Sequence, residues 1–488
     1  STQSRSSAAS DVYKRQQSLN SSTVIGAPVA PGVIRPSYDR ETLQASVVHL
    51  GLGAFQRAHQ AMVFDRLLHA GDRRWAVLGV AMRSTTLADD LQAQDGLYTV
   101  QVASADGLAW HIPGSLIETC VAAREPSAVI AAIAAPATRW ITLTVTEKGY
   151  GAPLAELLVE GLAARFEAGL GGLTIASCDN LSDNGRRLQR LCVDTAARKN
   201  QALADWIASR CAFPNSMVDR IVPASTPGQR DAAAQALGLV DACALATEGF
   251  WEWVIEDRLS DPSDAQALRA AGVNVVDDVT VFEEAKLRML NGSHTAIAVL
   301  GAVQGWATVA EGLQQPAVRA FIERLMTDVV MPHLQRPGLR EYRDALLARF
   351  ANPALHHKVH QIATDSSLKI PLRWLPTLRD GLRQGQDLEP LAFAAAVWMR
   401  YLTAVDERGQ AYALSDPQAA LLQSIVQSHA GDVPATVKAL LALESIWGRD
   451  VGQDTPFRRR VTDWLTRIES SGSQAALAML LAAPHVPR

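Results

Sequence analysis

The chain has 488 residues, 48% hydrophobic and 20% charged, enough for two or three domains with substantial cores. Its 46 basic and 50 acidic side chains leave a net charge of −4 with no Lys/Arg-rich block, which excludes the basic footprint of a nucleic-acid binder. The longest apolar run, residues 128–137, is too short to cross a bilayer, so no membrane partner is expected.

In chain order, residues 1–35 open rich in Ser and Gln, without the hydrophobic segment of a signal peptide, and are expected to form a disordered or extended tail. At 46–50 the run S-V-V-H-L meets G-L-G-A-F-Q-R-A-H and then a helical pattern carried by Ala61, Phe64, Leu67 and Leu68. That is a strand, a glycine turn and a helix. Further strands are expected over 75–80, 140–145, 173–177 and 220–222, with an Ala-rich helix over 129–134. Alternation of this kind predicts a parallel sheet covered on both faces. After Phe282 the segments 296–303, 317–325, 391–402, 419–426 and 435–447 carry apolar residues at helical spacing, broken by Pro and Gly. The expected fold class is therefore α/β. A Rossmann-like dinucleotide-binding domain over 36–283 is followed by an all-helical substrate domain over 284–488.

Five cysteines (Cys120, Cys178, Cys192, Cys211, Cys243) show no C-x-x-C pair, which reads as reduced thiols in a cytoplasmic protein. No H-E-x-x-H or similar ligand spacing is present, so no metal is expected at the site.

Gly51 and Gly53 permit a tight turn and close approach of a pyrophosphate to backbone N–H groups at a helix N-terminus. The third glycine of G-x-G-x-x-G is replaced by Gln56, and Arg57 is expected to compensate by meeting phosphate directly. A bare G-x-G is equally a structural turn. Past the second strand stand Arg83, Ser84, Thr85 and Thr86, with acids only at Asp89 and Asp90. An acid in that place binds the adenosine 2′-hydroxyl and repels a 2′-phosphate, so NADP stays open beside NAD.

The segment T-V-T-E-K-G-Y at 144–150 lies past another strand end, where ligands of parallel sheets sit, and Lys148 there can meet an anion or simply belong to a turn. Asn180 in S-C-D-N offers an amide donor, with an Asx-turn as the plain alternative. Asp219 and Lys369, taken alone, read as a capping acid and a solvated lysine.

The most informative stretch is A-K-L-R-M-L-N-G-S-H at 285–294. On one helix at 100° per residue, Lys286, Asn291 and His294 project into an arc of roughly 140°, shared with Leu287 and Leu290. An amine among hydrocarbon loses hydration, which favours its neutral, proton-accepting form. Asn291 can donate to an oxyanion and His294 can orient a hydroxyl. The bland alternative is a helix surface on which Lys and His reach solvent.

Taken in order, G-x-G-x-F-x-R-A-H-Q (51–60), T-x-T-E-K-G-Y, S-C-D-N-L-x-x-N-G (177–185), F-P-N-x-M-V-D-R-I (213–221), W-V-I-E-D (253–257) and K-L-R-M-L-N-G-S-H resemble the mannitol dehydrogenase family of polyol-specific long-chain dehydrogenases. The resemblance implies metal-independent hydride transfer between a nicotinamide cofactor, NAD by family habit, and a secondary alcohol, interconverting polyol and ketose. The alternative it carries is a fructuronate reductase acting on a hexuronate. A non-catalytic dinucleotide or sugar sensor is disfavoured by the intact proton-transfer set. By the same resemblance Lys286 is the general base, Asn180 and Asn291 are the amide pair on the substrate oxygen, and His294 orients the substrate. Glu283 helps the lysine exchange its proton. Asp219 and Lys369 meet substrate hydroxyls. Gly51, Gly53, Phe55, Arg57, Arg83, Thr146 and Lys148 are the implied cofactor contacts. Where some mannitol dehydrogenases carry an arginine eight residues before the Lys369 equivalent, this chain has Gln361. That leaves the polyol or hexuronate unassigned. The assembly is expected to be a monomer or homo-oligomer.

Overall fold

The computed structural model describes residues 17–27, 29–104, 107–353 and 357–483. The chain divides into two compact units, Ser1–Val279 and Thr280–Arg488.

The first unit is built on a five-stranded parallel sheet in the order β5-β2-β1-β6-β7, with β1 Val47–Leu50, β2 Val77–Ala81, β5 Leu116–Val121, β6 Trp140–Leu143 and β7 Thr174–Ser177. β1 sits at its centre, paired with β2 on one side and β6 on the other, and every residue of β1, β2, β6 and β7 is buried. A sheet hidden on both faces needs near-continuous apolar strands, which V-V-H-L and W-I-T-L supply. One face packs on Val63, Phe64, Leu67 and Trp75, the other on Ile133, Leu158, Leu162 and Leu188.

Two smaller three-stranded sheets accompany it. One has the order β4-β3-β9, from β3 Val100–Ser104, β4 Gly107–His111 and β9 Leu245–Glu248. The other has the order β11-β10-β8, from β8 Ser216–Asp219, β10 Glu252–Glu256 and β11 Asn274–Val276.

Two sequence expectations change here. Residues 220–222 are not a strand; the strand ends at Asp219, whose register partner is Glu252. The tail is not extended throughout: Ser21–Gly26 is a helix whose first turn is capped by the Asn20 side chain. Leu19 and Val24 from it join an apolar cluster with Leu97, Ile112, Leu237 and Leu239, which gives this stretch the burial that its polar composition did not advertise. Residues 1–16 lie outside the described residues.

Within its described residues the second unit has helices and no named strand. Those that matter for the site are Thr280–Ala285, Gly292–Gln304, Leu339–Phe350, Val359–Ala363 and Ser366–Arg373. Gly292–Gln304 is buried at every position except His294 and Gln304, as a helix at the centre of a bundle must nearly be. The segment expected as one helix over 435–447 breaks into Val433–Leu441 and Glu444–Gln453.

Candidate active site

In the first unit the carboxyl ends of β1, β6 and β7 lie side by side, with Leu50 in register with Leu143, and Leu143 with Ser177. Gly51 leaves β1 at φ +99°, and a Cβ there would stand 2.3 Å from the Thr144 carbonyl oxygen, so only glycine fits. Thr144 Oγ1 donates to the Gly51 carbonyl at 2.9 Å. His49 bridges the same strands, its Nδ1 2.8 Å from Thr142 Oγ1 and its Nε2 2.9 Å from Thr144 Oγ1. Burial pushes its pKa down to about 3, so it is a neutral crosslink at physiological pH. Gly53 is the N-cap of helix Ala54–Ala58 and supplies no side chain to the cap, which leaves that helix start accessible to an anion. Phe55 is stacked on His59 with ring centroids 5.0 Å apart.

Arg57 departs from expectation. It is 4% exposed, gives Nη1 to the Cys243 carbonyl at 2.5 Å and Nε to the Gly53 carbonyl, and lies over the Tyr98 ring. Those bonds commit its guanidinium to the core behind the turn, so it does not compensate for the absent third glycine by meeting phosphate.

Arg83 is exposed just beyond β2, and Thr146 and Lys148 are exposed beyond β6. Thr146 holds φ +65°, a strained angle for a β-branched residue. Asp179 fixes it there: its carboxylate accepts the Thr146 N–H at 2.8 Å, the Val145 N–H at 3.1 Å and the Tyr150 hydroxyl at 2.9 Å. Burial raises the Asp179 pKa against the pull of those three donors. Sequence reasoning passed over Asp179, and its only signal was the position directly before Asn180 at a strand end. Asn180 itself is exposed at the end of β7, and Asp219 is buried at the end of β8.

In the second unit the key stretch is not one α-helix. Helix Thr280–Ala285 passes into a π-helical turn, Lys286–Asn291, before Gly292–Gln304 resumes as α. The arc computed at 100° per residue therefore does not apply. A π turn bonds residue i to i+5, which stacks residues five apart. Lys286 and Asn291 are such a pair. Lys286 is 8% exposed, and Glu283 stands half-buried three residues before it. The Asn291 carbonyl accepts from Thr295 Oγ1 and from Arg373 Nη1, and neither bond uses its side-chain amide. The Trp374 indole packs beside the end of this turn, its Nε1 donating to the Gly292 carbonyl at 3.0 Å.

His294 is half-buried, with its ring 4.5 Å from Phe350 and 5.5 Å from His357, and its Nε2 has no hydrogen-bond partner among the described residues. Burial lowers its pKa, and nearby His357, Arg349, Arg373 and Lys369 lower it further, so the ring is neutral. Lys369 is half-buried and donates to the Ile362 carbonyl at 3.0 Å, and burial lowers its pKa too. Gln361 is exposed on the helix before it. Four residues after Lys369, and so on the same helix face, Arg373 donates to Thr295 Oγ1 at 2.9 Å. Burial lowers its pKa to about 10. The spacing of Arg373 from Lys369 was a signal the sequence reading left unused.

The second unit thus places Lys286 and Asn291 on one π turn, with His294 three residues beyond it and close to Lys369. The first gathers the glycine turn, Thr146, Lys148 and Asn180. Both halves of the chain match models of one family. The Rossmann domain of mannitol dehydrogenase covers residues 45–265, and the C-terminal domain of mannitol dehydrogenase covers 278–469. The chain belongs to the mannitol dehydrogenase family. It is 37% identical to D-mannonate oxidoreductase of Escherichia coli K12, over 92% of this chain and 98% of that protein. With mannitol 2-dehydrogenase of Phaeosphaeria nodorum it shares 35% identity, over 91% and 82%. The solved structure of Pseudomonas fluorescens mannitol 2-dehydrogenase, a ternary complex with NAD and D-mannitol, superposes with a TM-score of 0.79 at 31% identity, covering 96% of this chain and all of that one. As a member of this dehydrogenase family the chain is an oxidoreductase. No helix among the described residues is long and apolar enough to cross a membrane.

Proposed function

We propose that this chain moves hydride between NAD and a secondary alcohol of a sugar polyol, interconverting polyol and ketose. The observation that carries the reading is the π turn, which hides Lys286 from solvent and sets Asn291 on the same face five residues on.

In the oxidation direction, Lys286 as the neutral amine takes the hydroxyl proton. The carboxamides of Asn291 and Asn180 donate to the oxygen as it gains negative charge, in place of a Lewis acid. His294, neutral and with no hydrogen-bond partner for Nε2 among the described residues, orients a neighbouring hydroxyl. Glu283, one turn before the lysine, passes the proton on toward solvent. Asp219, Lys369 and Gln361 supply further substrate contacts. The glycine turn fits a dinucleotide, since Gly51 has no room for a Cβ and the Gly53 helix start is uncapped. Gly51, Gly53, Phe55, Thr146, Lys148 and Arg83 are the residues assigned to hold NAD, whose nicotinamide accepts the hydride when bound. In this reading residues 36–283 bind the dinucleotide and 284–488 the substrate, in the cytoplasm.

A sugar acid is a second reading, favoured by one observation. Among the described residues neither Arg373 nor Lys369 is paired with a carboxylate, although both stand beside His294. Partly buried cations with no carboxylate in ion-pair contact among the described residues suit a substrate carboxylate.

The test is to follow NADH formation with mannitol, arabinitol, sorbitol and mannonate, using NAD and NADP in parallel. Lys286→Ala is expected to abolish turnover at neutral pH while NADH binding stays within a few-fold of wild type. Turnover surviving within a few-fold overturns the base assignment. Asn291→Ala is expected to lower kcat by about 10²–10³, and an effect confined to KM removes its oxyanion role.

A further inference from the structure

A second cluster of chemistry-bearing side chains lies in the first unit, away from the glycine turn. Asp65 and His69 are one turn apart on helix Gln60–His69, and His111 ends β4. This helix runs back from the glycine turn toward the amino edge of the sheet, and its ten residues span about 15 Å. Asp65 Oδ2, His69 Nε2 and His111 Nε2 all lie within 4.8 Å of one another. Oδ2 is 2.8 Å from His111 Nε2 and 3.4 Å from His69 Nε2.

What surrounds these atoms organises them. The other carboxylate oxygen, Oδ1, accepts the Gly114 N–H at 2.7 Å and the Tyr38 hydroxyl, which leaves Oδ2 directed at the two imidazoles. His69 Nδ1 is 2.7 Å from Ser37 Oγ. In the tautomer with the proton on Nδ1, donated to Ser37 Oγ, Nε2 keeps a lone pair for a metal; without a cation the neighbouring Asp65 carboxylate raises the His69 pKa and draws a proton to that nitrogen. Ligating imidazoles and carboxylates in metal sites are held by just such outer bonds. The Asp65 side chain is fully buried, but those of His111 and His69 are 12% and 25% exposed, so a path from solvent exists.

We propose that Asp65, His69 and His111 bind one divalent cation of the zinc type, with water as the fourth ligand. Two nitrogens and one oxygen are the donor set such ions take. For metal–ligand bonds of about 2.0–2.1 Å a tetrahedron has edges of about 3.3 Å. The 3.4 Å separation already matches, the His111–Asp65 pair opens by about half an ångström, and the two imidazole nitrogens, within 4.8 Å of each other, settle to the same edge. On binding, the carboxylate and two imidazoles supply three electron pairs. The proton on His111 Nε2 shifts to Nδ1, or leaves to solvent if the ring was an imidazolium. A cation here would tie the end of helix Gln60–His69 to β4 and, through Tyr38 and Ser37, to the segment before β1. It touches none of the residues assigned to hydride transfer, so its role is structural.

The test uses the full chain stripped by a chelator, desalted and titrated with Zn²⁺. The expected result is one equivalent retained after desalting, a thermal midpoint raised by several degrees, and affinity that falls as pH drops through the imidazole range. His69→Gln and His111→Gln should each weaken binding at least about a hundred-fold, and Ser37→Ala by about ten-fold or more. X-ray absorption of the zinc-loaded wild-type chain should show two imidazoles in the first shell, which tests the site without any variant. No bound equivalent would mean a hydrogen-bonded acid between two imidazoles and nothing more. Undiminished binding in both histidine variants, or a first shell without two imidazoles, would place the metal elsewhere. Any of these overturns the proposal.

Discussion

At Arg57 the identity of the side chain misleads and its partners inform. The guanidinium serves the Cys243 and Gly53 carbonyls from inside the unit. Arg57→Ala would leave those buried acceptors short of donors, each worth about 1–3 kcal/mol. A thermal midpoint lowered by several degrees is expected, with NADH affinity of the folded protein within a few-fold of wild type. A ten-fold or larger loss of NADH binding at unchanged stability would restore the phosphate role. His49 makes a pH prediction. Its folded pKa, about 3, lies below the ordinary value near 6.5, so above pH 6.5 it is neutral in both states and contributes no pH dependence. As pH falls from 6.5 toward 3 the unfolded chain takes a proton that the folded one refuses, and stability drops across that window. Urea midpoints measured across it should fall less steeply in His49→Asn, and an unchanged slope would refute the assignment.

Among the elements, the π turn at Lys286–Asn291 carries the most consequence. It places one more residue in the turn than an α-helix would, and thereby fixes which way Lys286 faces relative to Asn291 and His294. Deleting Leu287, half-exposed in the middle of it, should restore continuous α-helix and turn Lys286 by about 100° against the residues that follow. The expected outcome is an unchanged far-UV circular dichroism spectrum with turnover lost. Turnover within ten-fold of wild type would show that the π register is not what orients the lysine. Such turns are frequent at functional sites, and the end of this one is held by the Trp374 indole donating to the Gly292 carbonyl.

For the whole molecule, the N-terminal stretch bears on stability. The Leu19 N–H donates to the Val240 carbonyl and the Val240 N–H to the Gln17 carbonyl, and Leu19 and Val24 close an apolar cluster in the first unit. Removing residues 1–27 takes away two buried side chains, worth roughly 1.5–3 kcal/mol each before ordering costs, and uncovers Leu97, Ile112, Leu237 and Leu239. A thermal midpoint lower by about 2–6 °C is expected from calorimetry, and an unchanged one would mean the segment is a passive tail.

The sequence by itself determined the family, the order of an α/β unit before a helical one, and four strands of the central sheet, because β-branched runs and helical spacing are local signals. It also brought forward Lys286, Asn291 and His294 from the single stretch 285–294. It missed β5 and both small sheets, whose mixed polarity records partners distant in the chain. It misplaced the strand at Asp219 by the same blindness. Only the tertiary structure decided that Arg57 faces inward, that Asp179 clamps Thr146, that Arg373 joins Lys369, and that Lys286 stands on a π turn. Each of these depends on which buried donor meets which acceptor, or on how a helix is packed from outside, and that is settled by atoms far away along the chain.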